Sequence, residues 1–205
     1  MMSRQGLIAA KVRLTATSLL LLGALSACVG PARESIDSLS EISSGETIVV
    51  GRIELVPGLA KGEQKIQGLG TANFENKIIM ITDENYRVLK SEPVIADYEG
   101  RIEAILGKNF FVRSNSKTFF ILGGMLYLDV GGRELNRVYF PGGLKASIKA
   151  GDKAVYIGTV QYHRNEFFDI SKVSIVDDYE RANTEFKKRF GTKYTLRKAL
   201  LTPAK

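Results

Sequence analysis

The sequence predicts a mainly β domain, an antiparallel β-sandwich with one C-terminal α-helix. Three observations predict it. Short runs rich in branched and aromatic residues recur from Thr47 onward, turn-forming clusters of Gly, Asn, Asp and Pro separate them, and a single apolar stripe with helical spacing comes after the last of them. Such strands, closely spaced and bounded by turn chemistry, suit sheets that pack face to face or close into a barrel.

Taken in order, the first element is not part of that domain. Residues 1–13 carry Arg4, Lys11 and Arg13 and no acid, and 14–25 (LTATSLLLLGAL) is nearly free of polar groups. A positive start, a short apolar run and small residues before a cleavage point are the features of a secretory signal peptide. The run has 12 residues, whereas a bilayer-spanning helix needs about 20. It is too short for a permanent anchor. Cys28, the only cysteine, ends the tetrad Leu25-Ser26-Ala27-Cys28. An exported chain with one thiol forms no internal disulfide, so that cysteine calls for another use.

The next stretch, 29–46 (VGPARESIDSLSEISSGE), is rich in serine with scattered apolar residues and no sustained period. That composition buries too little to order itself. It is expected to be a flexible tether with a typical reach of about 23 Å. The domain organisation expected is therefore a signal peptide at 1–27, the modified cysteine and tether at 28–46, and one folded domain at 47–205.

Within that domain, Val49, Gly51, Ile53 and Leu55 alternate with Ile48, Val50, Arg52 and Glu54, the period of a strand with one face inward. Pro57-Gly58 ends it. Further strands are expected over 77–82, 86–90, 101–106, 110–113, 118–122, 125–129 and 137–140. Turns are expected at Asp83-Glu84-Asn85, Gly107-Lys108-Asn109, Ser114-Asn115-Ser116, Gly123-Gly124, Gly131-Gly132 and Pro141-Gly142-Gly143. Residues 154–162 and 167–176 read as a hairpin joined by His163-Arg164-Asn165-Glu166, with Gly158 marking a bulge. The helix is expected over 178–190. Asp177 or Asp178 caps it, Tyr179, Ala182, Phe186 and Phe190 form its inward stripe, Lys187, Lys188 and Arg189 suit its C-terminal dipole, and Gly191 ends it.

Charge and chemistry narrow the function classes. The whole chain carries 29 basic and 22 acidic side chains, and removing the leader takes away three of the bases. The remaining excess is mild, enough to favour anionic head groups and no reason to expect nucleic acid. His163 is the only histidine, so no multi-histidine metal site assembles, and no cofactor or metal is expected. His163 itself reads as an exposed turn residue. No G-x-S-x-G elbow occurs, and the glycine pairs follow strands without opening helices, unlike phosphate-binding loops. Asp97 with Glu99, and Asp177 with Asp178, are the acid pairs available for proton transfer. Asp83, Glu84 and Asn85 lack the ligand alternation of a calcium loop.

The tetrad ending at Cys28 resembles the lipobox of bacterial lipoproteins. The resemblance implies cleavage between Ala27 and Cys28, diacylglycerol on the Cys28 sulfur, and a domain held on a membrane by acyl chains. Two or more chains hold stably where one is marginal. Val29 stands where an aspartate would retain an enteric lipoprotein in the inner membrane, which implies the outer membrane, facing the periplasm. Gly151 to Gly158 (GDKAVYIG), followed by Val176 to Ala182 (VDDYERA), is similar to the end of a group of poorly characterised bacterial lipoproteins. Asn109-Phe110-Phe111-Val112 faintly resembles their carboxypeptidase-regulatory or transthyretin-like sandwich, although Phe119-Phe120 replaces the Pro-Gly-Tyr turn of that pattern.

The expected function is that of a membrane-anchored envelope lipoprotein acting as a non-catalytic binding or structural module for an envelope protein partner. An exposed sheet edge or the aromatic segment 110–120 would be its contact surface. The rival is a carboxylate-dependent hydrolase of envelope glycan or peptidoglycan, which requires two acids converging in a concave site.

Overall fold

The computed structural model describes residues 35–61, 63, 77–82, 101–130 and 134–204. Ala27, Cys28, the expected strand 86–90, the turns at 83–85 and 131–132, and the pair Asp97 and Glu99 lie outside them. The chain divides into two units; one, 1–31 with 88–99, also lies outside the described residues, and every strand and helix named here belongs to the other.

Among the described residues, ten strands and one α-helix occur in order: β1 Thr47–Val56, β2 Lys77–Ile81, β3 Arg101–Ile105, β4 Asn109–Ser114, β5 Thr118–Val130, β6 Glu134–Ser147, β7 Ala154–Arg164, β8 Ile170–Val176, α1 Tyr179–Phe190, β9 Leu196–Lys198 and β10 Thr202–Pro203. They form two five-stranded sheets. One is antiparallel, in the order β10-β6-β5-β2-β3; the other is mixed, in the order β4-β1-β7-β8, with β9 beside the first half of β7. The mainly β prediction with one helix is thus met. The purely antiparallel pairing is not, because β1 and β9 both run parallel to β7. Parallel neighbours need a long connection between them; β2 to β6 supply it between β1 and β7, and β8 with α1 between β7 and β9.

The two faces of β1 explain the mixed sheet. Val49, Ile53 and Leu55 join a cluster to which both sheets contribute, including Met80, Ile102, Phe119, Leu126, Phe140 and Tyr162. Ile48 and Val50, on the opposite face, lie in a second cluster with Phe111, Tyr156 and the α1 residues Ala182, Phe186 and Phe190. The first half of β1 is therefore buried on both faces, and alternation returns only from Arg52 onward.

Glycine does more here than end strands. Gly123-Gly124 and Pro141-Gly142-Gly143, expected as turns, lie opposite one another inside the long β5–β6 hairpin, where Gly123 pairs with Pro141 and the register shifts. A Cβ on Gly142 would stand 2.0 Å from the Leu122 carbonyl carbon, so the close crossing of two backbones, rather than a reversal, requires glycine there. Gly158 answers to its expected bulge: Val50 pairs with Tyr156 but Arg52 with Thr159, and its φ is +103°. The Tyr162 hydroxyl donates to Pro141 O at 3.0 Å, tying β7 to this crossing. Burial of that phenol raises its pKa far above the ordinary value.

Three further expectations are corrected. β7 continues through His163 and Arg164, so the turn falls at 165–169, where Asn165 Oδ1 accepts from Phe167 N and Asp169 N at 2.9 and 3.0 Å. At the helix start the Asp178 side chain makes no cap bond; the Tyr156 hydroxyl accepts from Asp178 N at 2.9 Å and Asp177 Oδ1 from Tyr179 N at 3.3 Å. Finally, the segment expected as tether lies against the domain from Ser35 on. Ile36 is buried in the α1 cluster, Leu39 and Ile42 pack against it, and the edge of β4 is met by Ile36 N on Phe111 O at 2.7 Å and by Phe111 N on Ser35 Oγ at 3.1 Å. Apolar residues three apart with a 3-10 turn between them suffice to dock a serine-rich strap.

Candidate functional site

The outer face of the mixed sheet carries a cluster of charged and amide side chains that project from its strands. Where α1 ends its cover, the even-numbered side chains of β1 change from Ile48 and Val50 to Arg52 and Glu54, and the register sets Asn109, Gln161, His163 and Ser174 beside them. Glu54 is the hub. Gln161 Nε2 donates to its Oε2 at 3.0 Å, Arg52 Nε lies 2.7 Å from Oε1 and Arg181 Nη2 3.5 Å from the same oxygen. The Arg52 contact is an ion pair whose angle makes no hydrogen bond, leaving that buried Nε–H without one.

From this strip the face continues to the end of α1. Glu185 accepts from Asn109 Nδ2 at 2.7 Å, and beyond it a shallow depression of about 450 Å³ is lined by Asp37, Phe111, Glu185, Lys188 and Arg189. Arg189 stands 4.7 Å over the Phe111 ring and pairs with Asp37 of the strap; partial burial lowers its pKa from the usual guanidinium value. Two carboxylates from different segments thus share a concavity, as the hydrolase reading requires, but each is already met by a donor of its own.

The expected acid pair at the helix start does not converge on one point. Asp177 pairs with Lys198 Nζ at 2.6 Å, and Asp178 pairs with Arg181. His163 is half-buried within β7, not at a turn tip, and its Nε2 lies 3.0 Å from Ser174 Oγ across β7 and β8. Among the described residues no carboxylate bonds that ring, and no group of three His, Cys, Asp or Glu is placed to hold a metal ion. Amide and guanidinium groups thus surround the Glu54 and Glu185 carboxylates.

At the other end of the hairpin a second cluster is structural. Arg164 donates to Pro57 O at 3.1 Å, to Gly58 O at 2.9 Å and to both Glu63 oxygens, and lies 5.2 Å over the Phe168 ring. Its hydrogen bonds hold the Glu63 carboxyl below the usual range. The Pro57 peptide is cis. Phe167, in the β7–β8 turn, is 73% exposed.

The aromatic segment 110–120, expected as a contact surface, is mostly interior: Phe110, Phe111 and Phe119 are each 2% exposed. Period-2 spacing showed which faces Arg52 and Glu54 share, and could have flagged the strip. The Asn109–Glu185 and Arg189–Asp37 contacts join residues 76 and more than 150 positions apart and leave no mark in local pattern. No protein-family model, no curated protein and no solved structure matches this chain.

Proposed function

We propose that this chain is an envelope lipoprotein, anchored by acyl groups on Cys28, whose domain works as a non-catalytic binding or structural module for an envelope protein partner on the periplasmic side of the outer membrane. The single observation that carries the reading is Leu25-Ser26-Ala27-Cys28 at the end of a basic-then-apolar leader. Among the described residues no helix is long and apolar enough to cross a membrane, and acylation is the anchoring that the leader itself suggests.

The binding role is supported by the outer face of the mixed sheet, where carboxylates are locked by Arg52, Gln161, Asn109, Arg181 and Arg189 in a fixed pattern of charge. Rigid, pre-paired polar groups suit recognition. The sheets are read as the two layers of a sandwich on the strength of their shared core, with the parallel β1–β7 pair as its departure from the immunoglobulin-like or transthyretin-like pattern.

The test is metabolic labelling with palmitate and membrane fractionation of the parent and a Cys28→Ser form. Label in the parent, loss of label in the variant and release of the variant from membranes are expected. An unlabelled parent, or a variant that still fractionates with membranes, overturns the anchor.

A further inference from the structure

We infer that the C-terminal end of α1 is a docking surface for a bilayer rich in anionic head groups, the same bilayer that takes the acyl chains; the inference rests on the lipoprotein reading and adds which face lies down. Lys187, Lys188 and Arg189 form the last turn of α1, and Lys193 follows just beyond Gly191; all four residues are exposed. Successive helix residues turn by about 100°. With Phe186 and Phe190 in the core, Lys187 and Arg189 fall on the two flanks and Lys188 on the crest. The acids facing them are Asp37, engaged by Arg189, and Glu185, engaged by Asn109. Lys187, Lys188 and Lys193 have no ion pair among the described residues, and Lys193 stands 5.4 Å over the Tyr194 ring.

Position supplies the second, independent observation. The strap joins the domain at the β4 edge, where Ser35 and Ile36 bond Phe111 and Asp37 meets Arg189. Cys28 stands seven residues before Ser35, a contour of at most about 25 Å. A body moored on so short a line, from the edge over which α1 ends, brings that basic end to the head groups, while β8, at the opposite edge of the mixed sheet, faces away. Each lysine near an anionic surface strengthens contact about fivefold, and salt screens it.

The test uses the full lipidated protein in phosphatidylcholine vesicles with and without phosphatidylglycerol, with amine labelling read residue by residue by mass spectrometry. In anionic vesicles labelling at Lys187, Lys188 and Lys193 is expected to fall roughly fivefold or more and to recover in high salt, while Lys172 on β8 labels equally in both. Equal labelling of the helix-end lysines in both vesicles overturns the inference and leaves the anchor intact. Protection in native envelopes but not in anionic vesicles assigns the surface to a protein and also overturns it. A Lys187→Glu, Lys188→Glu variant of unchanged thermal unfolding should return Lys193 to its rate in neutral vesicles; continued protection overturns it. The mass of the N-terminal peptide reports acylation separately, and its absence removes the anchor reading and this one with it.

Discussion

Replacing Tyr162 with phenylalanine removes one oxygen from the contact between the sheets. Its hydroxyl holds Pro141 O at 3.0 Å, and its ring meets Phe140 edge-on with centroids 4.6 Å apart. The ring packing survives the change, so Tyr162→Phe should cost about 1 kcal/mol, read as a lower urea midpoint with an unchanged slope. Acid titrates two other contacts. Hydrogen bonds from Arg164 hold Glu63 below its ordinary 4.5, and those from Arg197 hold Asp152 below its ordinary 3.8. Both carboxyls have depressed folded values, so their stabilisation is complete above the unfolded values and is lost as pH falls through the lower folded ones. Stability should therefore decline as pH drops below about 4.5, and Glu63→Gln should flatten that decline; an identical pH profile in the variant would contradict the assignment. Neither pair was visible in the sequence. Arg164 and Glu63 are 101 positions apart, Arg197 and Asp152 45, and only the folded register brings them together.

Among the elements, β7 and α1 both depend on a glycine, for different reasons. Gly158 has φ +103°, and a Cβ there would lie 2.8 Å from Ile175 Cγ2; Gly191 has φ +75° with nothing within 4 Å. Gly158→Ala combines backbone strain with a clash and should cost more than about 2 kcal/mol, whereas Gly191→Ala carries conformational strain alone, about 1–2 kcal/mol. Denaturant unfolding of the two variants should keep that order. Both positions were legible in the chain: Gly158 interrupts a run of strand-forming residues, and Gly191 directly follows Phe190, the last residue of a 3-4-4 stripe. The Gly123-Gly124 and Pro141-Gly142-Gly143 clusters were misread because a bulge between facing strands and a chain reversal use the same residue types. What tells them apart is the partner strand, and the sequence does not name it.

On the scale of the molecule, the strap from Ser35 determines how far the folded body extends. Ile36 is 3% exposed, and Ile36→Ala should destabilise by about 2–4 kcal/mol. Because Phe111 N–H bonds Ser35 Oγ, the same variant should speed hydrogen exchange at the Phe111 amide; unchanged exchange there would mean that the strap holds without its isoleucine. The mainly β reading was legible because alternation and turn chemistry are local. The parallel pairing of β1 with β7 was not, since strands separated by so much chain are matched by packing and not by any short motif. That pairing bears on how the chain is made. β1 ends at Val56 and β7 begins at Ala154, so on a ribosome adding about 5–20 residues per second the first strand waits several seconds for its neighbour to be synthesised. β9 and β10, which fasten one strand to each sheet, emerge later still. The mixed sheet therefore closes only after β7 has been made, and β7 gains its β9 neighbour last.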